Sequence, residues 1–165
     1  ITAVTMVPTS GVLKIGDKAT TTIAAGAGET GLLAGTTMTV NGEDVSATFT
    51  ELGVGQYQAV YTVVEGDSDV LDSADLQVNL QVRDTAGNNS SSYTTADAGN
   101  RPGVDAHRPT ITNVTMVPTS GVLKIGDKAT TTIPAVARGR AASRGWLAAP
   151  EAPERLATTS RILAA

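Results

Sequence analysis

The chain has 165 residues, no cysteine and a formal net charge of −4. This length allows one ordinary domain and part of another, and the lack of cysteine excludes disulfides and thiol chemistry. Residues 1–110 hold five basic and thirteen acidic residues, a balance that argues against nucleic-acid binding. No run of 18 apolar residues occurs, so the sequence predicts no membrane-spanning helix.

β-Branched residues alternate with turn residues through residues 1–110, a pattern typical of an all-β domain. Pro8 interrupts the opening segment, which favours an edge strand that changes its pairing partner. Asn41 and Gly42 form a two-residue hairpin signal. The predicted strands are Ile1–Val7, Val12–Ile15, Lys18–Ile23, Thr36–Val40, Val45–Thr50, Gln56–Val64, Leu76–Arg83 and a polar strand near Ser90–Thr95.

Strands of this number and spacing predict an all-β, immunoglobulin-like antiparallel sandwich of about seven strands. Apolar residues occupy every second position of the two clearest strands, so one face of each should be buried. In Val45–Thr50, the pattern places Val45, Ala47 and Phe49 on the inward face. The predicted core consists of Met38, Phe49, Tyr57 and Tyr61 together with the Leu and Val residues.

The strongest signal is an internal repeat. Residues 4–23 and 114–133 both read VTMVPTSGVLKIGDKATTTI, at a spacing of 110 residues. Identity at a fixed period is typical of a tandem array, and 110 residues is the size of one ordinary domain. The sequence therefore predicts a complete repeat in 1–108 and the truncated start of a second repeat in 109–133, with residues 96–110 as the linker.

Identity between the copies stops abruptly after Ile133, where an Ala- and Arg-rich tail begins. We expect this tail, residues 134–165, to be irregular and to lack a packed core. A shifted reading frame and a genuine C-terminal extension both explain such a break. Because the chain begins at Ile1 and the second copy is cut short, we also expect it to be a piece of a longer protein.

Two motifs suggest chemistry, but local features argue against them. Gly26–Gly31 matches GxGxxG, yet too few residues follow for the helix that a dinucleotide site requires, so a loop is the better interpretation. His107 neighbours Arg108 and Pro109 in the predicted linker, which favours an exposed histidine over a catalytic one. We predict no catalytic and no cofactor-binding residue, and therefore no enzyme.

The first unit resembles the bacterial immunoglobulin-like repeats of giant surface adhesins. The matching pieces are ITxVTMVPTSG, GDKATTTI, MTVNGEDVSATFTELGVGQYQAVYTV, the DTAGNNS turn and the VDAHRPTIT connector, so the resemblance covers residues 1–133. It implies an extracellular or cell-surface location, neighbouring repeats as partners and contact with a host or matrix surface through other domains. In some relatives, calcium at the domain junctions stiffens the array.

Oxygen-rich clusters suit calcium, and the chain contains two of them. One is the run from Glu65 to Asp75, which lacks the EF-hand pattern and also fits a solvated acidic loop. The other is a set at the predicted junction, where Asp and Asn could equally cap their own turns. This junction set, whose calcium interpretation rests on the resemblance, consists of Asp17, Asp84, Asn88, Asp97 and Asp105.

Two functions remain open. The chain is expected to be a structural spacer repeat of an adhesin, which displays a distal binding domain. The alternative is a ligand- or carbohydrate-binding accessory module of a secreted enzyme, which should present an exposed aromatic patch. The duplicated segment adds a third expectation, that Val114–Ile133 pairs with other copies of the chain through unpaired strand edges.

Overall fold

The computed structural model describes residues 1–95 and 102–136, and the backbone of 159–162. The chain forms two compact units, one containing Ile1–His107 and one that begins at Arg108. In chain order, the strands of the first unit are β1 (Ala3–Val7), β2 (Val12–Lys14), β3 (Lys18–Ala24), β4 (Leu33–Val40), β5 (Glu43–Asp44), β6 (Thr50–Gly53), β7 (Gln56–Thr62), β8 (Val78–Arg83) and β9 (Gly103–Asp105).

The first unit has the strand order of an immunoglobulin-type sandwich. One antiparallel sheet has the order β1-β3-β7-β6, which matches strands A, B, E and D of that fold. The other has the order β5-β4-β8, and single bridges from Asn89 and Tyr93 extend it beyond β8. The predicted all-β sandwich is therefore confirmed.

Pro8 divides the opening segment as predicted. Before it, β1 pairs antiparallel with β3 in the first sheet. After it, β2 pairs in parallel with β9, with Lys14 opposite Asp105. One stretch of chain thus pairs within the first sheet before Pro8 and with the last strand of the unit after it.

The alternating patterns place the core where the sequence predicts it. Tyr57, Ala59 and Tyr61 of β7 are at most 1% exposed, and Leu80 of β8 is fully buried. The Asn41–Gly42 turn adopts positive φ at both positions, 55° and 86°, as a tight hairpin between β4 and β5 requires.

The predicted strand over Val45–Thr50 is wrong. Val45 is buried, but Ser46–Thr48 forms a 3₁₀ helix and Ala47 is exposed. The Asp44 carboxylate accepts the Ser46 amide at 2.8 Å, and such side-chain bonds to the backbone compete with strand pairing. Phe49 is consequently only half-buried, where its ring stacks on Tyr57 at a centroid distance of 5.1 Å.

The predicted linker is also wrong where the structure describes it. Residues 96–101 lie outside the described residues, but Pro102, Val104 and Ala106 are buried. Gly103 packs so closely that an added Cβ would lie 2.8 Å from the amide nitrogen of Asp72. This segment is the last strand of the sandwich, and the first unit extends to His107.

The second unit is described in less detail. Its strands are β10 (Thr110–Ile111), β11 (Thr115–Val117), β12 (Lys128–Thr132), β13 (Ala135–Val136) and β14 (Thr159–Ile162). They form the sheets β10-β13 and β11-β12-β14. The expected irregular tail is therefore wrong at β13 and β14, and the rest of it, with Trp146, lies outside the described residues. Among the described residues, no helix has the length and apolarity needed to cross a membrane.

Candidate functional site

The chain enters and leaves the first unit at opposite poles. At the N-terminal pole, the Thr2 amide donates to the Ala24 carbonyl at 2.8 Å. At the C-terminal pole, the Gly66 amide donates to the Ala106 carbonyl at 3.0 Å. The seven residues of β3 run between these poles, which separates them by about 20 Å.

A buried polar network forms the C-terminal pole. Asp67 is 8% exposed, and its Oδ2 accepts bonds of 2.8 Å from the Tyr61 hydroxyl and the Val64 amide. Asn41 Nδ2 donates to the Tyr61 hydroxyl at 3.1 Å and to the Ser68 carbonyl at 2.8 Å. Burial raises the pKa of Tyr61, so its hydroxyl stays a donor to Asp67 at neutral pH. The network ties the hairpin turn, β7 and the loop after it together.

Asp69 fastens the last strand to the same loop. Its Oδ1 accepts the Ala106 amide at 2.9 Å, and His107 Nδ1 lies 3.1 Å from both carboxylate oxygens. The expectation of an exposed linker histidine is therefore wrong, because the His107 side chain is 34% exposed and held by Asp69. These bonds close the end of the strand where the chain leaves the unit.

The acidic run from Glu65 to Asp75 does not behave as one solvated loop. Glu65, Asp72 and Asp75 are exposed. Asp67 is buried and Asp69 is half-buried, and both accept the bonds described above. The sequence contains no signal for this division, since Glu65, Asp67 and Asp69 follow one another at the same spacing of two residues. Their partners Tyr61 and His107 lie 6 and 38 residues away.

An open cleft of about 300 Å³ lies at the N-terminal pole. Ile1, Leu32 and Val82 contribute apolar lining, and Glu29 and Asp84 contribute carboxylates. Gly26, from the GxGxxG match, also lines it. The segment Gly26–Gly31 connects β3 to β4 without a helix, which confirms the loop interpretation and leaves no helix N-terminus to bind a phosphate.

Four of the five predicted calcium ligands lie in the described residues, and these four do not converge on one site. Asp84 accepts bonds from the amide and the side chain of Asn88, at 2.8 and 2.9 Å, at the N-terminal pole. Asp17 accepts the Lys14 amide at 3.1 Å and pairs with Lys14 Nζ at 3.2 Å. Asp105 Oδ1 accepts the His107 amide at 3.3 Å, and Asp97 lies outside the described residues.

Hydrogen bonds lower the pKa of Asp84 and of Asp17. The Asn88 side chain and amide lower the pKa of Asp84, and the Lys14 amide lowers that of Asp17. Both carboxylates thus act as caps of their own turns. Within the described residues, no three histidine or carboxylate side chains converge in a way that could hold a metal ion.

The aromatic side chains offer no exposed platform in the described part of the chain. Tyr57 and Tyr61 are at most 1% exposed, and Phe49 and Tyr93 are half-buried. A ligand-binding module is expected to present an exposed aromatic patch.

Comparison of the chain with protein-family models, with curated proteins and with solved structures found no match.

Proposed function

We propose that residues 1–107 are a structural spacer repeat of an extracellular or cell-surface adhesin. The observation that carries the proposal is the separation of the termini, together with the repeat at 110 residues. A unit whose chain enters at one pole and leaves at the other adds its full length to an array. The Asp69 bonds to Ala106 and His107 hold the exit of the chain in place, which suits a stiff connection to the next unit.

The terminal strands are arranged to resist pulling. Because β2 and β9 are parallel neighbours, tension applied at the two poles draws them in opposite directions along their length. Their hydrogen bonds, such as the 2.7 Å bond from the Gly103 amide to the Gly11 carbonyl, are then loaded together. Such shear requires several bonds to break at once, whereas peeling breaks them one by one.

Single-molecule pulling tests this role. Attachment at Ile1 and His107 applies shear, while attachment at Ile1 and Val54 pulls from one pole, because Gly55 bonds Ala25 there. Val54 is 68% exposed and accepts a handle without disturbing the core. The spacer role predicts a clearly higher unfolding force for the first geometry. Equal forces would contradict it.

The binding-module alternative has less support, because none of the aromatic rings in the described residues is exposed. The excess of acidic residues in the first unit argues against nucleic acid as a partner. In this proposal, other domains contact the host or matrix surface, and the repeat holds them at a distance from the cell.

Calcium remains a prediction for the junction between two whole units. Asp84 lies at the N-terminal pole and Asp105 at the end of β9, so acids from successive units would meet only across a junction. A chain with two complete units should then melt at a higher temperature with calcium than with a chelator. Identical melting curves would contradict calcium binding at the junction.

A further inference from the structure

The duplicated segment exists in two environments within one molecule. Val4 and Met6 are 0% and 1% exposed in the first unit. Their counterparts Val114 and Met116 are 56% and 53% exposed in the second. Since the twenty residues are identical, the difference arises from what covers them and not from their own sequence.

Both copies pair their first strand with the strand that follows the turn in the same register, although the described residues of the second copy include no counterpart of β2. Met6 pairs with Thr21, and Met116 pairs with Thr131, its equivalent. The turn before β3 is repeated before β12. The Lys14 amide donates to the Asp17 carboxylate at 3.1 Å, and the Lys124 amide donates to the Asp127 carboxylate at 2.8 Å. The strand pair and the turn of the second copy are thus preorganised as they are in the first unit, which lowers the entropic cost of docking them.

The first unit shows what covers this segment. β7 pairs along the edge of β3, and the sheet containing β4 and β8 supplies the opposite side of the core. All of these lie within residues 24–107, and the sequence after Ile133 contains no match to them. We call residues 24–107 the slot. In the second unit, β14 occupies the edge of β12 that corresponds to the edge of β3 on which β7 lies, so docking into a slot requires β7 to replace β14 there.

The connector length decides which slot the second copy can reach. Seven Cα–Cα steps separate His107 from Val114, and fully extended they span at most about 25 Å. To occupy the position of Val4 in its own molecule, Val114 would have to cross about 20 Å from one pole to the other. That path must also run around the surface of the folded unit and leaves the connector little slack, so a second molecule is the accessible partner.

We propose that Val114–Ile133 is a donor segment that docks into the slot of a second copy of this chain when that slot is vacant. The two segments are identical, so each docked C-terminal copy displaces an equally good N-terminal copy. Exchange therefore gains nothing while Val4–Ile23 is intact and joined directly to Ala24. A slot that has lost its own segment is the target.

The test creates such a slot with an aspartate at a buried position. In the M6D/M116D double variant, neither copy is competent, so the chain supplies a vacant slot and no donor. Mixed with isotopically unlabelled wild type, the labelled double variant should regain amide protection at Leu80 and elute as a two-chain complex. The matched control partner is M116D, whose own slot is filled and whose C-terminal copy is defective.

The outcomes separate clearly. Recovery of Leu80 protection with wild type but not with M116D supports the proposal. Failure with both partners, equal recovery with both, or a double variant that folds unaided would each overturn it. The M6D single variant adds a check of reach, since it should fold only as assemblies of two or more chains. A folded M6D monomer would show that the segment docks within its own molecule and would refute docking between chains.

Discussion

Truncation of one methionine at a time distinguishes the two copies without changing their local sequence. Met6 is 1% exposed within the core of the first unit, whereas Met116 is 53% exposed. Replacing a buried methionine by alanine costs about 2–5 kcal/mol, since it removes buried surface and leaves a cavity. For a domain of this size, 1 kcal/mol corresponds to about 4 °C or more in Tm, so M6A should lower the melting temperature of the first unit by about 10–20 °C. M116A should leave that transition unchanged.

Circular dichroism melts of dilute M6A and M116A, with amide exchange at Leu80 as the local report, would measure this difference. Dilution matters because a chain with a weakened N-terminal segment is the kind that accepts a donor from another molecule. A large effect of M116A and a negligible effect of M6A would show that the C-terminal copy occupies the slot. Equal effects would show that the copies share it, and either result would refute the assignment of Val4–Ile23 to the core.

Other predictions address the poles and the last strand. Y61F should lower the unfolding free energy measured in urea by about 1–3 kcal/mol, because it leaves Asn41 and Asp67 without their shared partner. Y57F should lower it less, since both hydrogen bonds of the Tyr57 hydroxyl are 3.3 Å long. A larger loss in Y57F than in Y61F would contradict the stabilising role of the polar network. G103A should destabilise the first unit by about 1–3 kcal/mol, because the added Cβ overpacks against the loop backbone. G53A should not, because its added Cβ meets nothing within 4 Å. Equal urea midpoints for the two variants would contradict the packing of β9 against this loop. The pKa of Asp84 is lowered in the folded state, so its stabilising contribution is present above about pH 4 and is lost as the pH falls through that lowered value. D84N should therefore lose less stability than the wild type between neutral and acidic pH. An unchanged pH dependence would contradict the stabilising role of Asp84 in its turn.

The fold followed from the sequence wherever one face of a strand is buried. The alternations in Gln56–Val64 and Leu76–Arg83 placed Tyr61 and Leu80 in the core correctly, because a period of two leaves a strand little choice of which face to bury. The same logic failed at Val45–Thr50, where Asp44 captures the Ser46 amide and turns the chain. The pattern of apolar residues along a sequence does not reveal local hydrogen bonds from side chains to the backbone.

The candidate site was harder to predict than the fold. The bond from His107 to Asp69 joins residues 38 positions apart, and it forms because Val70 pairs with Val104 of β9. Gly, Pro and Asp around Val104 suggested a linker, and only the packing of the sandwich shows that this short segment is a strand. The calcium ligands were predicted from residue type. Residue type does not reveal that the carboxylates of Asp84 and Asp17 accept hydrogen bonds within their own turns.

The claim that residues 1–107 are one unit of a head-to-tail array is tested most directly by completing the second unit. A chain in which a second copy of residues 24–107 follows Ile133 supplies the missing slot in the same molecule. Small-angle X-ray scattering should then give a maximum dimension about twice that of the first unit, because units with termini at opposite poles add their lengths along the strands. Amide exchange should show Met116 as protected as Met6. A compact particle with the two units side by side, or a Met116 that stays unprotected, would contradict the account.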